Sequence, residues 1–116
     1  MFRYLTEQQK REKALEVAQK VLSRKLCILD GTRQIMDLQI SFDDEDEDWR
    51  QLIVIDSETE DLPVGRVAKL WNREALKRRE PEIERAREWA WDAGYETFVS
   101  LVKRFNMTVE NVQEAN

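Results

Sequence analysis

Four carboxylates close together near the middle of this chain are the residues best suited to carry chemistry. They are Asp56, Glu58, Glu60 and Asp61, with Ser57 and Thr59 between them. Carboxylate oxygens are the ligands that Mg²⁺ and Ca²⁺ prefer, and two carboxylates can also act as a general acid and base. The spacing differs from the helix–loop–helix calcium loop, because no glycine stands where that loop must turn sharply. The simpler interpretation, which we favour, is a solvated turn in which Asp56 and Ser57 hydrogen-bond to local backbone N–H groups.

An unbroken acidic run lies a few residues upstream. It consists of Asp43, Asp44, Glu45, Asp46, Glu47 and Asp48. Six adjacent like charges repel one another, so the run is predicted to be a solvated loop, with a docking patch for a basic partner as the alternative. Residues 43–61 together hold ten acids and one base, a formal charge of −9, whereas the rest of the chain carries +4. Such a region repels nucleic acid and attracts a cation or a basic protein surface.

The residue types that are missing exclude several functions. The chain has no histidine, which rules out Ser-His-Asp and Cys-His catalysis and any histidine-ligated metal. Neither of the familiar glycine-rich phosphate-binding motifs occurs. The single cysteine, Cys27, is predicted to be a small buried hydrophobe, although nearby Lys25 could lower the pKa of its thiol. These absences disfavour an enzyme.

The same composition bears on location. One cysteine cannot form an internal disulfide, no apolar run approaches the roughly 20 residues needed to cross a bilayer, and the first residues do not look like a secretory signal. We therefore expect a cytoplasmic protein with no membrane association.

Helical patterns flank the acidic middle. Thr6 and Gln9 have the spacing of a capping box, which predicts a helix from about Thr6 to Leu22. A second helix is predicted from about Leu26 to Ile40; Gly31 inside it implies either a break or a closely packed neighbour. Arg33 lies near the apolar face of that helix and needs a carboxylate (Asp30, Asp37 or an acid of the central segment) or backbone carbonyls as its partner.

The central segment itself is predicted to be a β-hairpin. Leu52–Ile55 is the strongly β-prone stretch, and Val64–Leu70 is the nearest candidate for its pairing strand. A short helix follows, with Asn72 as its cap, and Glu80-Pro81 is predicted to end it and to start a longer helix that runs to about Phe105. The predicted fold is α+β: mostly helical, about four helices with one short β-hairpin in the middle. Residues 1–106 form a single globular domain, and residues 107–116 form a loosely held C-terminal tail.

The centre of the chain also resembles a known sequence pattern. The matching residues are Ile55-Asp56-Ser57-Glu58-Thr59, Leu62-Pro63-Val64-Gly65, Trp71 and Ala75-Leu76, with Gly31, Arg33 and Glu82-Ile83 outside them. They resemble a family of small bacterial proteins with the pattern Ile-Asp-Ser-Glu-Thr-x-x-Leu-Pro-x-Gly, to which no activity is assigned. The resemblance implies a bacterial cytoplasmic protein and supplies no mechanism. Four residues of the pattern are predicted to be structural, namely Arg33, Pro63, Gly65 and Trp71.

Two function classes remain open from the sequence. The preferred hypothesis is a small acidic, non-enzymatic binding or regulatory protein, such as an immunity-type protein, that engages a basic surface of a partner protein. The alternative is a divalent-metal-binding module or metal-dependent enzyme that uses residues 56–61; no other cofactor is predicted. A homodimer is also compatible with the sequence, because Trp89 and Trp91 point in different directions on a helix and cannot both be buried by one interface.

Overall fold

All the regular secondary structure in the described part of this protein is helical. The structure, a computed structural model, describes the backbone of residues 4–115 and the side chains of residues 4–65 and 67–107. Its helices are α1 (Glu7–Leu22), α2 (Ile28–Asp37), α3 (Glu47–Thr59), a 3₁₀ helix (Gly65–Leu70) and α4 (Arg73–Ala115). None of residues 4–115 belongs to a strand. The α+β prediction, with its central β-hairpin, is therefore wrong.

The predicted first strand is the middle of helix α3. Leu52 and Ile55 are fully buried and Thr59 nearly so, at the three- and four-residue spacing of one helix face. Asp46 caps the helix, and its side chain accepts hydrogen bonds from the backbone N–H groups of Asp48 and Trp49. The β-propensity of an aliphatic run is a weak preference that packing overrides. The predicted second strand lies largely in the 3₁₀ helix Gly65–Leu70.

The acidic run is not wholly a loop. Its last two residues, Glu47 and Asp48, form the first turn of α3, and Asp46 precedes them as the cap. Acidic side chains are stabilised at this position because the N-terminus of a helix carries a partial positive charge. This attraction offsets the repulsion from which the solvated loop was predicted.

The two N-terminal helices follow the sequence prediction more closely. The capping box of α1 is confirmed, with the Thr6 and Gln9 side chains each bonded to the backbone N–H of the other residue. Helix α2 is shorter than predicted and contains Gly31 without a break. A Cβ atom on Gly31 would overlap with a methyl carbon of Val21, so the glycine allows α1 and α2 to pack closely.

One long helix replaces the two helices predicted after residue 71. Helix α4 has 43 residues and contains Pro81, so the predicted boundary at Glu80-Pro81 is wrong. The predicted cap is confirmed, because Asn72 Oδ1 accepts a hydrogen bond from the backbone N–H of Ala75 at 2.8 Å. Residues 107–116 were predicted to form a loosely held tail. The side chains beyond residue 107 lie outside the described residues, so the loosely held tail stays a prediction.

Helix α4 is the common support of the other helices. Helices α1, α2 and α3 all pack against it, and Phe98, Leu101 and Phe105 of α4 are fully buried at the centre of the core. Helix α3 lies especially close, since a Cβ atom on Gly94 would be 2.7 Å from the Ile55 side chain. This contact fixes which side of α3 faces α4 and which side faces solvent.

Candidate functional site

Two acids of the run 43–48 are committed to holding α3 on α4. Arg104 Nη1 donates hydrogen bonds to Asp46 Oδ1 at 3.0 Å and to Asp48 Oδ2 at 3.1 Å, and Arg104 Nη2 donates to Asp46 Oδ2. Ser100 Oγ also donates to Asp48 Oδ2, at 2.8 Å. The hydrogen bond from Arg104 lowers the pKa of Asp46, against the opposing effect of burial. These two carboxylates are therefore structural.

The other four acids of the run face solvent. Asp43, Asp44, Glu45 and Glu47 are all exposed. Glu45 forms an ion pair with Arg50 at 2.9 Å, in which both side chains are more than half exposed. Such a pair contributes little to stability, since water screens both charges. Of the six predicted partner-binding carboxylates, two therefore bind Arg104 and the other four are exposed to solvent.

The four carboxylates of residues 56–61 do not converge. Asp56 and Glu58 belong to the last turns of α3, Glu60 is its C-terminal cap, and Asp61 follows. Asp56 and Glu60 share one side of the helix and line a cavity of about 690 Å³ against α2, whereas Glu58 lies at a different angle around the helix axis. No group of three or more acidic or cysteine side chains among the described residues is placed to hold a metal ion. The metal-site hypothesis gains no support from this arrangement.

The Arg33 guanidinium binds carbonyls rather than a carboxylate. Arg33 Nη1 donates to the Val64 carbonyl oxygen at 3.3 Å, and Nη2 donates to the carbonyl oxygens of Leu62, at 3.2 Å, and Thr59. The last carbonyls of a helix have no partner within it, so a cation there is favourable. Arg33 thus ties α2 to the C-terminal end of α3 and to the segment that follows.

The other residues predicted to be structural lie in that following segment. Pro63 is fully buried, and Gly65 has a φ of +61°, a conformation that favours glycine. Trp71 is half-buried, with the Arg79 guanidinium 5.6 Å from its ring centre. Pro63 and Trp71 thus pack against neighbouring residues, and Gly65 provides a positive φ at the start of the 3₁₀ helix; the structural role of all three stays a prediction.

Asp30 has an unusual environment that the sequence did not indicate. Its Oδ1 atom is buried and has no hydrogen-bond partner among the described atoms, and a Cβ atom on Gly65 would lie 2.8 Å from it. Burial raises the pKa of the Asp30 carboxyl, while the nearby charges of Arg33 and Arg87 act in the opposite direction. From the sequence, Asp30 was a candidate only as the partner of Arg33.

The outward side of α3 exposes two aliphatic residues between acidic ones. Ile53 is 38% exposed and Val54 is 44% exposed, although the aliphatic residues on either side of them are fully buried. We call the exposed residues of this helix the α3 face. They are Glu47, Arg50, Ile53, Val54, Ser57 and Glu58. The signal was present in the sequence, because four consecutive aliphatic residues on a helix cannot all point into one core.

A groove runs along the edge of the α3 face where α3 meets α4. It has a volume of about 520 Å³ and is lined by Glu47 and Val54 from α3 and by Glu96 and Thr97 from α4, among others. Gln51 of α3 also lines the groove, and its side chain donates a hydrogen bond to the Ala93 carbonyl oxygen of α4 at 2.8 Å. Arg50 also lines the groove, which therefore carries charges of both signs, with Val54 as the one aliphatic side chain of its lining.

A second cavity, of about 620 Å³, lies near Cys27. The Arg24 guanidinium covers the Trp91 ring there at 3.8 Å, and Trp91 is half-buried while Trp89 is 40% exposed. The two tryptophans thus differ in burial, as their spacing predicted. Cys27 is half-buried beside the Arg87 guanidinium, which interacts with its sulfur, so the surroundings are less apolar than predicted.

Comparison of the chain with protein-family models, with curated proteins and with solved structures finds no match. The resemblance to the small bacterial family therefore stays a prediction. No helix among the described residues is long and apolar enough to cross a membrane.

Proposed function

We propose that this protein is a non-enzymatic regulator, of the kind that includes immunity proteins, which binds a basic surface of a partner protein in the cytoplasm. The observation that carries the proposal is the number of acids of residues 43–61 that form no ion pair among the described side chains. Asp46 and Asp48 pair with Arg104, and Glu45 pairs with Arg50. The other seven form no ion pair among the described side chains: Asp43, Asp44, Glu47, Asp56, Glu58, Glu60 and Asp61.

Unpaired carboxylates of one sign repel one another and raise the local negative potential. A partner with Lys and Arg side chains at matching positions would relieve that repulsion and would be steered toward the protein from a distance. Because salt screens charges more than about 10 Å apart at 0.1 M, association by this route weakens as the ionic strength rises. Binding of the partner that weakens as the salt concentration rises is therefore the main signature of this function.

The chemistry of the chain supports a binding role over a catalytic one. The sequence lacks histidine, and the carboxylates that were candidates for metal binding do not converge, since Asp56 and Glu60 line one cavity while Glu58 lies at a different angle around α3. A cytoplasmic location is consistent with a single cysteine.

The test is affinity capture from extracts of the source cells with two matched variants as bait. Asp44→Asn/Glu47→Gln removes two exposed acids of the acidic run, and Glu12→Gln/Glu74→Gln removes two exposed acids elsewhere. We expect the wild type and the second variant to capture the same basic protein, and the first variant to capture several-fold less. Capture should also decrease between roughly 0.05 and 0.5 M salt. Equal capture by the two variants, or no effect of salt, would contradict the proposal.

A further inference from the structure

The cavity of about 690 Å³ lies between α2, the end of α3 and the 3₁₀ helix, and we infer that it binds a linear aliphatic polyamine, a flexible chain that carries several ammonium groups. Cavities of this size, with a few charged side chains beside apolar ones, are typical of small-molecule sites. The inference is separate from the proposed function, since a small cation in this cavity requires no partner protein.

The charged side chains that line the cavity leave four carboxylates without a cation. These carboxylates belong to Asp30, Asp37, Asp56 and Glu60. None of the four forms an ion pair or a side-chain hydrogen bond with another described residue. The two bases of the lining have partners of a different kind, because Lys13 pairs with Glu16 at 3.8 Å and the Arg33 guanidinium donates to three backbone carbonyls. The cavity therefore favours a cationic ligand.

Asp30 is the carboxylate in which this lack of a partner is most evident. Its Oδ1 atom is buried without a hydrogen-bond partner among the described residues, and it lies beside Gly65, which also lines the cavity. Burial raises the pKa of this carboxyl, although the charges of Arg33 and Arg87 oppose that effect. An ammonium group near Asp30 would supply the charge-assisted hydrogen bond that the carboxylate lacks.

The spacing of the four carboxylates favours an extended cation over a metal ion. Asp30 and Asp37 are about two turns apart on α2, or about 10 Å at 1.5 Å per residue, and Asp56 and Glu60 are about 6 Å apart along α3. A divalent metal ion needs several oxygen atoms within about 2.6 Å of one point. No group of three or more acidic or cysteine side chains among the described residues meets that need. A chain with several ammonium groups can instead pair with carboxylates at separate places along its length.

The apolar part of the lining favours an aliphatic chain between those ammonium groups. Met36, Val64 and Val67 line the same cavity; Val64 is buried and Val67 is 44% exposed. Methylene groups that pack against these side chains leave water while the ammonium groups stay at the carboxylates, in the way that lysine side chains lie along apolar surfaces. A compact cation of the same charge has no methylene groups and cannot reach carboxylates this far apart.

The probe for this inference is spermidine, a linear triamine, and the control is hexaamminecobalt(III), a compact cation of the same charge that carries N–H donors but no aliphatic chain. We expect spermidine to bind the wild-type protein at least about tenfold more tightly in isothermal titration calorimetry, because only spermidine can bury methylene groups in the cavity. In methyl NMR spectra, spermidine should shift the signals of Met36 and Val67, which line the cavity.

Two protein variants with the same loss of charge locate the binding site. Asp56→Asn/Glu60→Gln removes two acids of the cavity, whereas Asp44→Asn/Glu47→Gln removes two exposed acids of the acidic run. The first variant should bind spermidine about tenfold more weakly than the wild type, and the second less than about twofold more weakly. Because acids near the C-terminal end of a helix are unfavourable, the first variant should fold at least as stably as the wild type.

Three results would overturn the inference: equal weakening in the two variants, equal binding of the two cations, or no binding of spermidine. Each of them leaves the proposed function to its own test, since the capture experiment depends on Asp44 and Glu47 and contains no polyamine.

Discussion

Arg104 and Asp46 are 58 residues apart in the chain, and two hydrogen bonds between their side chains join α4 to the start of α3. Asp46 is 13% exposed, and it also caps α3 through two backbone N–H groups. The acidic run therefore does two things at once. Its inner carboxylates position α3, and its outer carboxylates give α3 the charge on which the proposed function depends.

Replacement of Arg104 should destabilise the protein. Arg104→Met leaves the Asp46 and Asp48 carboxylates, 13% and 14% exposed, without their cation, and we expect a loss of about 2 kcal/mol in the free energy of unfolding. Lys103→Met is the matched control, since Lys103 is exposed and adjacent in sequence, and it should change stability by less than about 0.5 kcal/mol. Urea denaturation measures both values, and similar losses in the two variants would count against a structural role for the pair.

The contribution of the Asp46 carboxylate to the free energy of unfolding should disappear in acid. Its hydrogen bond with Arg104 lowers the pKa in the folded state, so the folded protein releases this proton more readily than the unfolded chain does. The resulting stability is fully present above the unfolded pKa of about 3.9 and is lost as the pH falls through the lower folded value. The difference between wild type and Arg104→Met should therefore shrink below about pH 4. A difference that stays constant down to acid unfolding would show that the Asp46 charge is not its source.

The carbonyl contacts of Arg33 should be specific to a guanidinium. Arg33→Lys keeps the positive charge but cannot reach the carbonyl oxygens of Leu62 and Val64 with two nitrogens, and we expect a loss of about 1–2 kcal/mol. The control is Arg50→Lys, whose exposed pair with Glu45 should be worth less than about 0.5 kcal/mol. Hydrogen exchange of the last turn of α3 should increase in the first variant alone. Unchanged exchange would mean that the end of α3 does not depend on Arg33.

Gly65 and Asp30 should be coupled energetically. Gly65→Ala puts a methyl group 2.8 Å from Asp30 Oδ1 at a φ of +61°, and we expect it to destabilise the protein by about 2 kcal/mol. Asp30→Ala removes the contact but not the backbone strain, so Gly65→Ala should be less harmful by about 1 kcal/mol in that background. Stability of the two single variants and the double variant gives the coupling directly, and additive losses would refute the contact.

The Asp30 carboxyl should have the opposite pH dependence to that of Asp46. Burial raises its pKa, so the folded protein holds this proton more tightly, and the associated stability is present below the unfolded pKa and lost as the pH rises through the folded value. Asp30→Asn removes the buried charge and should stabilise the protein by about 1 kcal/mol near pH 7. That gain should decrease as the pH falls through the folded pKa of Asp30, which lies above its ordinary value, because the wild-type carboxyl then becomes protonated. A variant less stable than wild type at neutral pH would contradict this account.

The candidate surface was partly predictable from the sequence. The charge of residues 43–61 is a count of residue types and needs no structure. Which acids remain available was not predictable, because Asp46 and Asp48 are neutralised by Arg104, more than 50 residues further along the chain. The exposure of Ile53 and Val54 could be predicted only if the segment was known to be a helix. In a strand, alternate residues face the same side, so a different pair of aliphatic side chains would share each face.

The sequence by itself determined the local features of this protein: the Thr6 capping box, the Asn72 cap, the acidic middle and the lack of histidine. These depend on neighbours within four residues, or on composition alone. The tertiary structure decided that Leu52–Ile55 is helical and that the chain continues as a helix through Pro81. An aliphatic run of four fits both a strand and a helix. Packing against α4 decides for the helix, in which Leu52 and Ile55 are buried on one side and Ile55 lies against Gly94.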